Sequence, residues 1–221
     1  MAAAHFHLAV VNFHVEFGQQ VETLLSASSE TLPPPLVSRL ALAAMPDSTP
    51  PRSEQGVCFA FRLRYDGPTG APDGPLVWGV ALFRARRDAS ASRGCVQKSV
   101  VILSPLPWVE LMRLAIERIG TAYFDAGEPA LHTALAQLAA WPRPEMGSLL
   151  RLPLLGDALE SNGLVPRRGL RAAAAACWSC WQLMLCAEPI VVFAASPERA
   201  SDIVLALSTL IAPLPFAGAT P

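Results

Sequence analysis

The sequence predicts an α/β fold whose centre is an antiparallel sheet covered by helices. Two apolar, β-rich segments, 76–83 and 95–104, flank a polar stretch that ends at Gly94, a pattern typical of a β-hairpin with a longer loop. Almost every residue in 78–83 and 100–103 is apolar, so both strands should be buried on both faces. A strongly amphipathic helix pattern follows directly, which places the hairpin in the middle of a helix-covered sheet.

The N-terminal part predicts three further strands and one helix. Residues 5–17 should form one strand, buried on both faces at its start and on one face at its end. Gly18 turns the chain into a returning strand at 21–25. Residues 36–45 predict a short helix with one apolar face, and 57–65 alternate as a half-exposed strand.

Two helices should follow the hairpin and cover it. The first starts at Pro107, a residue suited to a first helical turn, and its apolar residues recur at helical spacing. Its outer face should carry four charged residues: Glu110, Arg113, Glu117 and Arg118. The second helix spans 128–141, where His132 falls outside the apolar stripe and should be solvated. The Trp-Pro-Arg-Pro sequence at 141–144 ends the periodic pattern and is the predicted domain boundary.

The remaining residues predict a second, smaller α/β unit. A linker at 142–171 should contain one short strand, at 149–155. The uncharged stretch 172–187 predicts a buried helix, and 190–194 predicts a short buried strand. The Ser-Pro-Glu sequence at 196–198 has the N-cap, the first-turn proline and the early acid of another helix.

Composition limits the classes of function. A net charge of −1 gives no electrostatic reason to expect a nucleic-acid partner. Hydrophobic residues make up 52% of the chain, but a spanning helix needs about 20 apolar residues, and Glu188 and Pro189 interrupt the longest uncharged stretch. We therefore favour a buried helix and keep a membrane-embedded protein, using 172–196 and 203–217, as an alternative. No basic segment with a cleavage site marks a signal peptide, which predicts a cytoplasmic protein.

Neither the cysteines nor the histidines predict a metal site. Five cysteines, an odd number, favour reduced thiols, and Cys177 with Cys180 is the only C-x-x-C pair. Without a second ligand pair, these two are expected to be buried small side chains, with a zinc or redox pair as the weaker alternative. His5, His7 and His14 alternate along a strand without an acidic partner and should lie at its surface or flank. We expect no cofactor.

The sequence contains none of four common catalytic motifs: G-x-x-x-x-G-K-[ST], G-x-G-x-x-G, G-x-S-x-G and H-E-x-x-H. Two pairs of carboxylates, Asp125 with Glu128 and Asp157 with Glu160, are expected in turns as caps or solvated ends. This pattern favours a protein that works by binding a partner, without covalent chemistry and without a small-molecule substrate.

A basic cluster in the hairpin is the candidate partner-binding site. Five of the 17 lysines and arginines lie there, together with one glutamine. The residues are Arg84, Arg86, Arg87, Arg93, Gln97 and Lys98. They predict contact with an acidic partner surface, and anionic lipid contact is an alternative. A second alternative is a solvated loop that discourages edge-to-edge strand pairing.

Several stretches resemble DENN-domain proteins, most closely the subgroup of DENN domain-containing protein 6. They include Gly-Val-Ala-Leu-Phe-Arg at 79–84 and Glu-Pro-Ile-Val-Val-Phe-Ala at 188–194. The others are 6–22, 46–48, 93–104, 196–197, 204–207 and 213–214. The resemblance departs at the Gly/Pro-rich loop 66–75 and at the poly-alanine before Cys177.

The resemblance implies a fold and a function. It implies a longin-like upstream module at 1–141, a linker with a short strand at 142–171, and the start of a central DENN module at 172–221. Because the family continues well beyond the position of Pro221, we expect a fragment. The implied activity is guanine-nucleotide exchange on a Rab-type small GTPase, in the cytoplasm with peripheral recruitment to endosomal membranes. The alternative is a longin- or roadblock-like scaffold or trafficking adaptor that exchanges no nucleotide.

Overall fold

The computed structural model of the chain describes residues 6–27, 31–46, 56–64, 76–91, 94–142, 149–161, 174–212 and 214. The chain divides into two compact units, Met1–Leu164 and Val165–Pro221. In its described ranges, the first unit contains a five-stranded sheet, a separate two-stranded hairpin and three α-helices. The second unit contains two short α-helices among its described residues.

The sheet of the first unit is antiparallel throughout, with the strand order β2-β1-β5-β4-β3. Its strands are β1 His7–His14, β2 Gly18–Ser26, β3 Val57–Arg64, β4 Leu76–Arg87 and β5 Cys95–Ser104. The predicted hairpin is β4–β5, and β5 is the middle strand of the five. The predicted α/β fold, with this hairpin at the centre of a helix-covered sheet, is therefore confirmed.

Helices cover both faces of the sheet. Helix α1, Pro34–Ala43, packs on the face that carries Phe83 and Val101. Because side chains alternate along a strand, their neighbours Leu82 and Val100 lie on the opposite face, where they are buried. Helix α2, Val109–Ala126, contacts β4 and β5 there, and α3, Glu128–Ala139, packs beside it. Strands β4 and β5 are apolar over 76–83 and 100–103, because helices cover both faces of the sheet there.

The structure corrects the prediction for Arg113. The hydropathy pattern placed it on the outer face of α2, but its side chain is fully buried. Its Nη1 donates a hydrogen bond of 3.1 Å to the carbonyl oxygen of Cys58 in β3. A charged side chain can be buried when it finds a hydrogen-bond acceptor there, and an arginine is long enough to reach a strand carbonyl from a helix. The helix itself begins two residues after Pro107.

His7 is a second correction, since it is buried rather than at the surface. Its Nδ1 lies 2.6 Å from the Ser26 hydroxyl on the adjacent strand β2. This hydrogen bond supplies the polar partner that a buried imidazole needs. His14 and His132 are exposed, as predicted, and His5 lies outside the described residues.

The short strand predicted at 149–155 is confirmed as β6, Leu150–Leu154, but its partner β7, Asp157–Ser161, was not predicted. Asp157 and Glu160 therefore lie in a strand and not in a turn. Two hydrogen bonds join this hairpin to α3 and to the residue Trp141 that follows the helix. Trp141 Nε1 donates to the Pro153 carbonyl oxygen at 2.9 Å, and the Leu155 amide donates to the Gln137 side chain at 2.6 Å.

The second unit differs more from its prediction. Its helices are α4, Cys177–Leu185, and α5, Pro197–Thr209, so the predicted helix at 172–187 is shorter, and Cys177 and Cys180 are half-buried. The predicted buried strand at 190–194 is wrong, because that segment is non-regular. A strand needs a neighbouring strand for its backbone hydrogen bonds, and the described part of this unit offers none.

The segment after α4 is also more exposed than predicted. Val191 is 74% exposed and Phe193 is 92% exposed. The start of α5 is confirmed, since the Ser196 hydroxyl accepts a hydrogen bond from the Arg199 amide. No helix among the described residues combines the length and the apolar composition that crossing a bilayer requires.

Candidate functional site

The predicted partner-binding residues lie where the β4–β5 hairpin extends beyond its neighbours. Strand β3 pairs with β4 only as far as Phe83, and β1 pairs with β5 only as far as Lys98. The hairpin register continues for several more pairs, to Arg87 opposite Cys95. In the described part of the chain, residues 84–91 and 94–97 thus form a two-stranded extension, which we call the basic ribbon.

Arg84 lies at the base of the basic ribbon and contacts the last turns of α2. Its Nη2 donates a hydrogen bond of 3.2 Å to the Thr121 hydroxyl. Its guanidinium carbon lies 4.8 Å from the centre of the Phe124 ring, a cation–π contact. The side chain is half-buried, so this arginine fixes the ribbon to the helix.

Lys98 lies directly opposite Arg84, and its side chain also contacts residues of neighbouring elements. Its Nζ is 2.7 Å from Glu22 Oε2 and 3.0 Å from Glu22 Oε1, and it donates to the Tyr123 hydroxyl at 3.4 Å. Partial burial lowers the pKa of Lys98, but the hydrogen bonds and charges of Glu22 and Tyr123 outweigh it, so the pKa is raised overall. The ammonium group therefore stays charged at neutral pH.

Arg86 and Arg87 are exposed, and they lie further along the basic ribbon. Because side chains alternate in a strand, Arg86 shares the α2 face with Arg84, while Arg87 lies on the opposite face. Gln97 is half-buried opposite Ala85, and Arg93 lies outside the described residues. The structure thus separates the predicted cluster into two half-buried cations at the base and two exposed arginines nearer the tip.

The turn of the ribbon is organised by Asp88. Its Oδ1 accepts hydrogen bonds from the Ser90 amide at 2.9 Å and from the Ser90 hydroxyl at 2.5 Å. Its backbone amide donates a hydrogen bond of 3.0 Å to the Gly94 carbonyl oxygen, and this bond closes the loop. These bonds from Ser90, with the nearby positive charge of Arg86, lower the pKa of Asp88, although desolvation opposes the change.

The residues that support the ribbon were not predicted as part of the site. Glu22 lies in β2, two strands away from Lys98, and Thr121, Tyr123 and Phe124 lie in α2. A single glutamate in a polar strand has no spacing signal that links it to a lysine 76 residues later. The aromatic pair near the end of α2 was the one available clue, since aromatic side chains often pack against cations.

The exposed arginines of the basic ribbon present hydrogen-bond donors and positive charge. An arginine side chain presents several N–H donors in a planar fork that matches a carboxylate or a phosphate. Among the described residues, no group of three or more His, Cys, Asp or Glu side chains is arranged to hold a metal ion. The basic ribbon can therefore bind acidic groups on a partner, with its base held in place by Arg84 and Lys98.

Residues 5–213 match the sequence profile of the family described as transport protein Avl9. This chain belongs to the Avl9 family. The match includes the whole described five-stranded sheet, the basic ribbon and both described helices of the second unit. The sequence resemblance to DENN domain-containing protein 6 is confirmed by individual relatives.

Three relatives illustrate the similarity of this Avl9-family chain. Over 95% of its length it is 30% identical to protein DENND6B of Mus musculus and 28% identical to protein DENND6A of Gallus gallus, covering 44% of each. It is 24% identical to the DENND6 homolog of Dictyostelium discoideum, of which it covers 38%. The chain thus spans less than half of the length of these curated relatives.

Proposed function

We propose that this Avl9-family chain is part of a guanine-nucleotide exchange factor for a Rab-type small GTPase in vesicle transport. The observation that carries the proposal is the similarity to DENND6 proteins along 95% of the chain. The family description, transport protein, agrees with it. The resemblance to DENN-domain proteins supplies the GTPase as the partner class and the exchange reaction as the activity.

Nucleotide exchange requires no covalent chemistry. This agrees with a sequence that contains none of the four catalytic motifs named above. An exchange factor binds the nucleotide-free GTPase more tightly than the nucleotide-bound form, and the difference in affinity shifts the equilibrium towards nucleotide release. The difference in affinity requires a rigidly supported surface whose contacts with the two forms of the GTPase differ. The sheet of the first unit, covered on both faces, is such a support.

We assign the contact to the basic ribbon. Arg86 and Arg87 would bind acidic groups of the GTPase directly, with Gln97 beside them and Arg93 in the same loop of the sequence. Arg84 and Lys98 would contribute positive charge and keep the ribbon in position, because both already bind residues of the first unit. Positive charge at an interface raises the association rate with an acidic partner.

The resemblance to DENN-domain proteins is also the basis for the proposed domain boundaries and cellular location. Residues 1–141 would be a longin-like upstream module, 142–171 a linker with its strand, and 172–221 the start of the central DENN module. The five-stranded sheet between α1 and α2 supports the first assignment. We place the protein in the cytoplasm, with peripheral recruitment to endosomal membranes.

A binding comparison tests the proposal with the 221-residue chain. Purified Rab-type GTPases, each loaded with GDP or stripped of nucleotide with a Mg²⁺ chelator, are titrated against the chain by biolayer interferometry. At least one GTPase should bind about tenfold or more tightly in the nucleotide-free form. Equal affinity for both forms would favour the scaffold alternative, and no binding to any GTPase would remove the Rab assignment.

The contact surface is tested with a charge reversal. Arg86→Glu with Arg87→Glu should weaken the preferred complex by about tenfold or more, because two attractive contacts become repulsive. Arg151→Glu with Arg199→Glu is the matched control, since it changes the same number of exposed arginines outside the basic ribbon. An equal loss in both double variants would show that net charge, and not this surface, determines binding.

A further inference from the structure

Ser90 is an exposed serine at the tip of the basic ribbon, and two arginines precede it closely in the sequence. The sequence there is Arg86-Arg87-Asp88-Ala-Ser90, so arginines precede the serine by three and four residues. Both arginines and the serine are exposed. In the whole sequence, Thr121 is the only other serine or threonine that has an arginine three residues before it.

The backbone around Ser90 is held by local hydrogen bonds. Its amide and hydroxyl bind the Asp88 side chain, and the Ala91 amide donates to the Asp88 carbonyl oxygen at 3.1 Å. The ribbon has no neighbouring strand in the described part of the chain, so opening this turn leaves the sheet hydrogen bonds intact. Segments held by few local contacts open at low free-energy cost.

We propose that Ser90 is a phosphorylation site for a serine/threonine kinase that recognises arginine before its target residue. Such kinases bind the substrate arginines with acidic residues, and charge patterns of this kind set substrate choice. With ATP as the phosphate donor, the Ser90 Oγ attacks the γ-phosphorus. A new O–P bond forms, the bond between the γ-phosphorus and the ADP oxygen breaks, and the hydroxyl proton passes to the kinase aspartate.

The phosphate changes the charge of the ribbon tip. Arg86, Arg87 and Asp88 together carry a formal charge of +1, that is, two positive and one negative. A phosphoserine adds about −2 at neutral pH, so the same segment becomes about −1. The phosphate also replaces the hydroxyl that donates to Asp88, and two negative groups then repel each other. The turn organised by Asp88 opens, and the arginines gain a phosphate to bind.

The test uses the 221-residue chain, ATP and the catalytic domain of calmodulin-dependent protein kinase II, which requires an arginine three residues before the target. Mass spectrometry should find phosphate on Ser90, and Ser90→Ala should lose most of the incorporation. Arg87→Gln should lower the initial rate by about tenfold, the size expected for one charge-assisted contact. Arg151→Gln, an exposed arginine elsewhere, should leave the rate unchanged.

Thr121 is an internal control with the same arginine spacing. It is exposed, but it lies inside α2, where phosphorylation would require the helix to unfold locally. We therefore expect no phosphate on Thr121. Phosphate on Thr121 or Ser92 in preference to Ser90, a rate that is insensitive to Arg87, or no incorporation at all would each overturn the proposal. Circular dichroism of each variant checks that the fold is retained.

Discussion

The Lys98 ammonium group bonds both carboxylate oxygens of Glu22 across strand β1, at 2.7 and 3.0 Å. The contact joins β5 to β2, although neither strand pairs with the other. Asn12 of the intervening strand donates to the same carboxylate at 3.3 Å. The base of the basic ribbon is thereby connected to the opposite edge strand of the sheet.

The first prediction concerns the pKa of Lys98, which should lie above the ordinary lysine value of about 10.4. Glu22→Gln should lower it, because the neutral amide no longer favours the charged ammonium. Lys98 is the only lysine, so ¹³C-lysine labelling gives one side-chain NMR signal to titrate. Glu160→Gln, a substitution in β7, should leave this pKa unchanged.

The sign of the stability effect follows from the raised pKa. The folded state holds this proton more tightly than the unfolded state, so the contribution is fully present below the unfolded lysine pKa. It is lost as the pH rises through the higher folded value. The difference in stability between the natural chain and Glu22→Gln should therefore shrink in that alkaline range, and a difference that grows there would contradict this account.

The second prediction concerns the buried Arg113. Arg113→Met keeps much of the side-chain volume but removes the donor to the Cys58 carbonyl oxygen. Leaving a buried acceptor without its charged donor should lower the free energy of unfolding by about 2–4 kcal/mol. Urea denaturation measures the change. Arg151→Met, at an exposed site, should stay within about 0.5 kcal/mol of the natural chain, and an equal effect there would exclude burial as the cause.

The third prediction concerns Gly94, which closes the ribbon turn with a φ of +68°. Gly94→Ala should cost about 1 kcal/mol, because a Cβ strains this left-handed conformation. Apart from its chain neighbours, no atom of the described residues lies within 4 Å of the position that the Cβ would take, so the cost comes from the backbone and not from a clash. Hydrogen exchange of the Asp88 amide should become faster, and unchanged exchange would show that the turn tolerates the strain.

The fourth prediction concerns the N-cap of α5. Ser196→Ala removes the hydroxyl that accepts from the Arg199 amide, and this should cost about 1 kcal/mol. Exchange of the Arg199 amide reports the loss locally. Ser179→Ala, at an exposed position in α4, is the control and should not destabilise the chain, because alanine has a higher helix propensity than serine. A similar cost in both variants would contradict the loss of a cap as the cause.

The sequence was most informative where burial is uniform. The β4–β5 hairpin could be predicted because both faces of its strands are covered over 76–83 and 100–103, which makes these segments continuously apolar. Arg113 could not be placed, because a periodicity argument assigns a residue by its charge and contains no information about a distant carbonyl acceptor. The segment 190–194 is apolar like a buried strand, but a strand also needs a partner, which local sequence does not reveal. The ion pair between Glu22 and Lys98 depends on the order of the strands in the sheet, so local sequence could not predict it either.

One lysine in 221 residues has a chemical consequence. Reagents and enzymes that conjugate lysine side chains find a single side-chain amine, which is held protonated between a carboxylate and a phenol. A protonated amine is not a nucleophile, so acylation at Lys98 should be slow until Glu22 is neutralised. The yield of acylated Lys98 would then report directly on whether the base of the ribbon is closed.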